Sequence, residues 1–412
     1  MTTPTPTSSC RSGRRPRGGR VPARRPALLE SIALRDLRGY ASLDAVFGPG
    51  PQLVWGPNAA GKTSLLEAIV LLAWGRSHRT STDAELIRWG TDVARVEGRL
   101  RPADGSSPSG STTIEVALVR DGAGQRKRIR VNGLARRATA LPSLLRTVLF
   151  APEDMLLVAG SPGPRRAAVD TLAASRSASF AADLSTYGRA LQQRNGLLRA
   201  IREGVATRAE LRFWDDALLA SGSAVVEGRL ATMDALAEPL ARAHGEIAPE
   251  EGRLTIRYET NAPPRPGETI RDALARRLVE TAEKEAWNGT TLVGPHRDDI
   301  VFELEGRDLA GFASRGQQRT AILALKLAEL DLLTELDGRP PLLLLDDVFS
   351  ELDPGRRSHL VRRIAELPQS FVTTTTLDDL DPGLRAAGAT WAVEAGRDGA
   401  RLTGPGEPAA VG

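Results

Sequence analysis

The sequence predicts an α/β fold of the phosphate-binding-loop type, mixed sheets with helices, interrupted by a long and mainly helical insertion. Three observations predict it. Gly56-Pro57-Asn58-Ala59-Ala60-Gly61-Lys62-Thr63 matches a phosphate-binding loop at every fixed position, and it lies between a short apolar strand at 52–55 and an apolar-periodic helix at 63–74. Four leucines closed by Asp346-Asp347 read as a buried parallel strand with acids at its C-terminal edge, where open α/β sheets bind ligands. Between the two, 161–289 is rich in Ala, Leu and Arg at helical spacing, without the sustained heptad of a long coiled coil.

In chain order, residues 1–26 are Ser, Thr, Pro, Gly and Arg with almost nothing apolar, and a disordered basic tail is expected there. Strands are expected at 32–37, 43–47 and 52–55, the third feeding the phosphate loop. After the loop's helix, 93–100, 113–120 and 127–131 read as strands with turns at Asp121-Gly122 and Asn132-Gly133. A buried strand at 147–150 leads into Ala151-Pro152-Glu153-Asp154. The N-terminal part of a nucleotide-binding head is expected at 27–160 and a helical insertion, or lid, at 161–289. The head's C-terminal part is expected at 290–404, with a disordered tail at 405–412. Inside the insertion, helices are expected at 164–202 and 208–245, then a short strand at 254–258 and a further helix. Thr291-Leu292-Val293 reads as strand-like, followed by a strand at 300–304. A strong helix opens at Ser314-Arg315 and runs to Leu336, and 371–376 is another β-rich run.

Composition narrows the function. No apolar run approaches the roughly 18 residues of a membrane span and no signal peptide is visible, so a cytoplasmic protein without a membrane role is expected. Cys10 is the sole cysteine and the four histidines (His78, His244, His296, His359) are scattered, which gives a disulfide or zinc site no support. The net charge of +4 comes from the tail. Residues 1–26 hold seven arginines and no acid, so the rest of the chain carries −3 and any nucleic-acid surface is a local patch. Aromatics are few, so phosphate contact on duplex DNA, with strong salt dependence, is expected rather than base stacking.

The motifs assign chemistry. Free backbone N–H groups and the dipole at a helix start favour phosphate, which makes residues 56–64, from Gly56 to Ser64, the nucleotide-binding loop. Lys62, one of only four lysines, would reach the β- and γ-phosphates, and the Thr63 hydroxyl would ligate Mg²⁺. Asp346 would hold Mg²⁺, and Asp347 would orient or deprotonate the attacking water. Asp353 suits the N-cap of a helix at Pro354. Ser314-Arg315-Gly316-Gln317-Gln318 opens a helix and is a second candidate phosphate site, which suggests two chains sharing nucleotides, each supplying this segment in trans. Arg76, Arg79, His296 and Arg297 are candidate contacts to ATP or DNA phosphates.

Together, 56–63, 314–318, 342–347 and Ser350-Glu351-Leu352-Asp353 resemble the Walker A, signature, Walker B and D-loop of an ABC-type ATPase head, with the insertion as its lid. The resemblance is strongest to the RecF family of bacterial DNA replication and repair proteins, which are related to SMC and Rad50 heads. It also rests on 34–40, 75–80, 83–87, Phe150-Ala151-Pro152-Glu153-Asp154, Gly294-Pro295-His296-Arg297-Asp298-Asp299 and 314–320, spread over nearly the whole chain after the tail. The family's usual Phe-Arg-Asn-Tyr is here Leu37-Arg38-Gly39-Tyr40, and its usual Gly after the loop Asn is here Ala59.

The resemblance implies ATP and Mg²⁺ as cofactors, weak DNA-stimulated ATPase activity and an ATP-dependent homodimer. It implies binding to double-stranded and gapped DNA. It also implies work with RecO and RecR to load the recombinase RecA onto single-stranded gaps, in recombinational repair, replication restart and the SOS response. In that reading Ser314, Gly316 and Gln317 contact the partner subunit's nucleotide, and Ser350 and Asp353 belong to the D-loop at the dimer interface. Two other classes compete. A transporter ATPase subunit would want a His after the acidic strand, where 373–376 is all Thr. A small-molecule kinase would need neither 314–318 nor the D-loop.

Overall fold

The computed structural model describes residues 27–102, 111–121, 124–396 and 398–405. The tail expected at 1–26 and nearly all of that at 405–412 lie outside these residues, as does Gly122 of one expected turn.

Three strands open the chain: β1 (Ala27–Leu37), β2 (Tyr40–Val46) and β3 (Gly50–Trp55). Helix α1 (Lys62–Trp74) follows the phosphate loop. Strands β4 (Val93–Pro102), β5 (Thr112–Asp121), β6 (Gly124–Val131), β7 (Leu134–Ala135) and β8 (Thr147–Phe150) lead to short α2 (Leu156–Ala159). Then come α3 (Pro162–Arg176), α4 (Ala178–Arg202), α5 (Leu211–Ile247), β9 (Leu254–Glu259) and α6 (Ile270–Asn288). The chain continues through β10 (Asp299–Leu304), β11 (Arg307–Asp308), α7 (Leu309–Phe312), α8 (Arg315–Asp337) and β12 (Leu342–Asp346). It closes with α9 (Pro354–Ala365), β13 (Gln369–Thr374), α10 (Pro382–Ala387), β14 (Ala389–Gly396) and β15 (Gly399–Thr403).

Two six-stranded sheets carry the head. One is antiparallel, in the order β2-β1-β4-β5-β6-β7. The other runs β15-β14-β3-β13-β12-β8 and is parallel apart from β15. Helix α1 lies between them. Its residues from Leu65 to Ala73 are all fully buried, because an apolar helix with two covered faces has no solvent side to mark. The leucine run of β12 shows the layering residue by residue. Leu342 and Leu344 join the core of α1 and the antiparallel sheet, while Leu343 and Leu345 join the core on the opposite face with α8 and α9. A third, three-stranded sheet in the order β11-β10-β9 pairs Leu254 with Leu304 and Tyr258 with Ile300, so a strand within 161–289 is bonded to one beyond it.

The mixed α/β class stands, with three corrections of detail. The helix expected at 164–202 is broken at Ser177, whose hydroxyl accepts from Phe180 N and starts α4 afresh. Thr291-Leu292-Val293 is not a strand. Its backbone donors go to side chains instead: Thr291 N to Asn195 and Leu292 N to Glu285. Strands β14 and β15 were not anticipated at all: β14 lies parallel beside the loop strand β3, and β15 pairs antiparallel with β14 at the sheet edge.

Candidate functional site

The site grows from the C-terminal edge of the parallel sheet, where β3 ends in the loop and β12 ends in its acids. Gly56 has φ 152°, and a Cβ there would lie 2.2 Å from the Val393 carbonyl oxygen on β14, so only glycine fits. Gly61, at φ 121°, packs under the Tyr40 ring, and the Tyr40 hydroxyl donates to its carbonyl at 3.2 Å. Burial pushes the Tyr40 hydroxyl pKa upward, so it stays a donor. Ala59 also takes a left-handed backbone, φ 62°. Pro57, Asn58 and Ala59 are exposed at the crest of the loop, while Ala60 is buried and Ser64 half-buried on the helix side.

Lys62 is buried, and its ammonium donates to the carbonyls of Gly56 at 2.7 Å and Pro57 at 3.0 Å. Desolvation lowers its pKa, and the charges of Asp347 and Asp346 oppose that shift. The Thr63 hydroxyl donates to Asp346 Oδ1 at 3.1 Å. The register of β12 against β13 places Thr373 beside Asp346, and the Thr373 hydroxyl donates to that same oxygen at 2.7 Å. Thr373 also accepts from the backbone N–H of Asp347 at 3.0 Å. Asp347 sits at φ 53°, and its carbonyl accepts from the Ser350 hydroxyl. Loop, acid pair and the start of the D-loop are thus one connected cluster. The donor set fits a hydrated divalent cation bound with phosphate: one hydroxyl and one carboxylate side by side.

The remaining candidates lie elsewhere. Ser314 caps α8 through a reciprocal box in which its hydroxyl accepts from Gln317 N and the Gln317 side chain accepts from Ser314 N. Because that hydroxyl accepts in the cap, its proton remains available to an external acceptor. Ser314 and Arg315 are exposed, and Gly316, Gln317 and Gln318 are half-buried, with Gln318 bonded to the Ala313 carbonyl. Asp353 caps α9 at Arg356 N and pairs with the Arg356 side chain, which reaches Glu251. His296 lies between α4 and the turn at Thr291: its ring nitrogens meet the Tyr187 hydroxyl at 2.6 Å and the Thr291 carbonyl at 3.1 Å. Burial pushes its pKa down to about 4, so the ring is neutral. Arg297 is exposed and donates to the same carbonyl. Arg76 donates to Thr171, and Arg79 faces Glu153.

Sequence reasoning missed Thr373 and a buried pair behind the loop. Arg38 forks onto Glu67 of α1 at 2.8 and 2.9 Å, and Ser77 donates to the same carboxylate at 2.5 Å. Both were visible in part. Thr373 opens the Thr run noted after the acids, and Glu67 is an isolated acid in an apolar helix, which announces a buried partner.

The chain matches the family described as the RecF/RecN/SMC N terminal domain over residues 28–390. It is 41% identical over 359 residues to the DNA replication and repair protein RecF of Symbiobacterium thermophilum, covering 85% of this chain and 92% of that protein. A solved structure described as the recombination mediator protein RecF-ATP in the RecFOR pathway superposes with a TM-score of 0.82 at 31% identity, covering 93% of this chain and 99% of that one. The Smc head domain of Pyrococcus yayanosii shares the fold, with a TM-score of 0.52 at 13% identity over 92% of this chain and 97% of that one.

Proposed function

The chain belongs to the RecF family of ABC-type ATPase heads, and from that premise we propose that it is an ATP-dependent, DNA-binding mediator of recombinational repair. ATP is bound by 56–64, with Lys62 on its phosphates. Mg²⁺, where bound, is held by Thr63 and Asp346 and supplies charge neutralisation at the transferring phosphate. Asp347 positions and polarises water. The observation that carries this reading is the shared Asp346 oxygen, which accepts from Thr63 of the loop and Thr373 of the neighbouring strand.

The dimer follows from the exposed cap at Ser314. A head whose loop already cradles one triphosphate has no use of its own for a second phosphate-binding helix start, so Ser314, Gly316 and Gln317 serve the partner's nucleotide, with Ser350 and Asp353 beside them. For DNA the support is local charge. Ile129 of β6 is buried and Lys127 pairs with Asp83, so alternation puts Arg126, Arg128 and Arg130 on the opposite, exposed face. Duplex and gapped DNA, slow turnover stimulated by DNA, and cooperation with RecO and RecR in loading RecA complete the reading. The lid at 161–289 and head parts at 27–160 and 290–404 are its working units.

The test is light scattering on the full chain with and without ATP-Mg²⁺. Wild type is expected to dimerise with ATP and Lys62→Met to remain monomeric. Equal dimerisation by the two would sink the nucleotide-site assignment.

A further inference from the structure

Away from the loop and the acid pair, a cavity of about 350 Å³ lies between the end of α1, the turn after β8, helix α3 and helix α8. That volume falls among small-molecule sites. Three of its lining side chains carry four buried polar atoms without a hydrogen-bond partner among the described residues: Trp74 Nε1, both ring nitrogens of His78 and the Thr147 hydroxyl. Thr147 itself is only 6% exposed. Trp74 and His78 belong to the end of α1 and the turn that follows it, and Thr147 opens β8, so a distortion of one segment does not account for all of them. An unsatisfied buried polar group costs about 1–3 kcal/mol, and such groups are rare unless something outside the chain satisfies them.

The charges around the cavity are unequally committed. Lys326 of α8 is engaged by Asp154 at 3.2 Å and Glu329 at 3.6 Å. Arg76, exposed, donates to the neutral Thr171 hydroxyl, and Arg79 meets Glu153 and Glu67 only at 3.7 and 4.0 Å. Two guanidinium groups at the rim therefore retain donors for an anion. Deeper, Leu149, Leu157, Leu172 and Leu333 make the wall apolar.

We propose that this cavity is a second ligand site, separate from the phosphate loop, and that it takes a small organic anion. An apolar, ring-containing body fills the leucine-lined interior beside Trp74. Polar atoms on that body pair with His78 and Thr147. A carboxylate, sulfonate or phosphate rests on Arg76 and Arg79. None of the lining residues belongs to 56–64 or to the acid pair, so the site stands whether or not the ATPase reading does. Its occupant would touch α8, the helix that Ser314 caps.

The probe is anilinonaphthalene sulfonate, an aromatic sulfonate that fluoresces in apolar surroundings. It is titrated into the full chain with ATP-Mg²⁺ saturating, so that the phosphate loop is not its target. A saturable fluorescence rise is expected. Arg76→Gln/Arg79→Gln should weaken it about tenfold or more. Ala168→Phe, which fills the cavity from α3, should abolish it while keeping a cooperative thermal transition; Ala167→Phe is the second filler if Ala168→Phe does not fold. Failure to saturate, or binding that the fillers and the arginine changes leave within a factor of two, overturns the proposal. Such a result would place the dye on exposed surface such as Trp89 or Trp287, which are 95% and 83% exposed.

Discussion

Ala59 holds φ 62° at the crest of the phosphate loop, where a side chain costs roughly 1 kcal/mol over glycine. Ala59→Gly removes that strain and also loosens the unfolded chain, which offsets part of the gain. A net stabilisation of up to about 0.6 kcal/mol is expected, read as a slightly higher denaturation midpoint, together with tighter ATP binding. A lower midpoint would show that the loop's neighbours, not its backbone, set the conformation. Thr373 makes the opposite case. Thr373→Val keeps the shape but leaves the Asp347 N–H without its acceptor and Asp346 without one of its two donors. The expected cost is about 1–3 kcal/mol in stability with a marked fall in ATP turnover. Unchanged turnover would remove Thr373 from the site.

At the scale of elements, β3, α1 and β12 were legible because each pairs an apolar run with a motif at one end. The rest escaped for physical reasons. The break between α3 and α4 rests on one hydroxyl, that of Ser177, inside an otherwise unbroken helical pattern. Strand β14 is defined by its distant parallel partner β3 and not by its own eight residues. Thr291-Leu292-Val293 has strand-like side chains, but the donors of Thr291 and Leu292 are taken by Asn195 on α4 and Glu285 on α6. His296 sits in the same junction, and its tautomer follows from its partners. Nε2 donates to the Thr291 carbonyl, so Nδ1 accepts from Tyr187. Its folded pKa of about 4 lies below the ordinary 6.5. The unfolded chain therefore binds the extra proton, and stability is lost as pH falls from about 6.5 through 4. A loss of up to about 3 kcal/mol is expected in that window, read by urea denaturation at a series of pH values. His296→Gln should flatten the profile; a profile as steep as wild type would assign the acid sensitivity to other groups.

For the whole molecule, the net charge of +4 rests on the seven arginines of residues 1–26, and the rest of the chain, at −3, would on average repel the duplex DNA of the proposed function. In the proposed dimer, retention would then depend on where the cations stand and on having two heads. Asp347→Asn keeps the phosphate loop and Asp346 intact, so ATP should still bring two chains together while turnover stops. That trapped dimer isolates DNA binding from the ATP cycle. In it, the outward arginines of β6 can be tested directly. Arg126 pairs with Asp121 at 2.9 Å and Arg130 reaches Glu115 only at 3.9 Å, whereas the cross-strand partner of Arg128 is Ala117. Each phosphate contact on B-form DNA adds about 0.9 to the slope of log affinity against log salt. Replacing Arg126, Arg128 and Arg130 together by Gln should thus lower that slope by as much as about 3 per head and weaken duplex retention in gel shifts at several salt concentrations. Because all three side chains point to solvent, the thermal transition should stay close to that of the parent. A slope equal to the parent's would mean that duplex DNA is held by another face of the dimer, and that the charge of β6 is only a solvated edge.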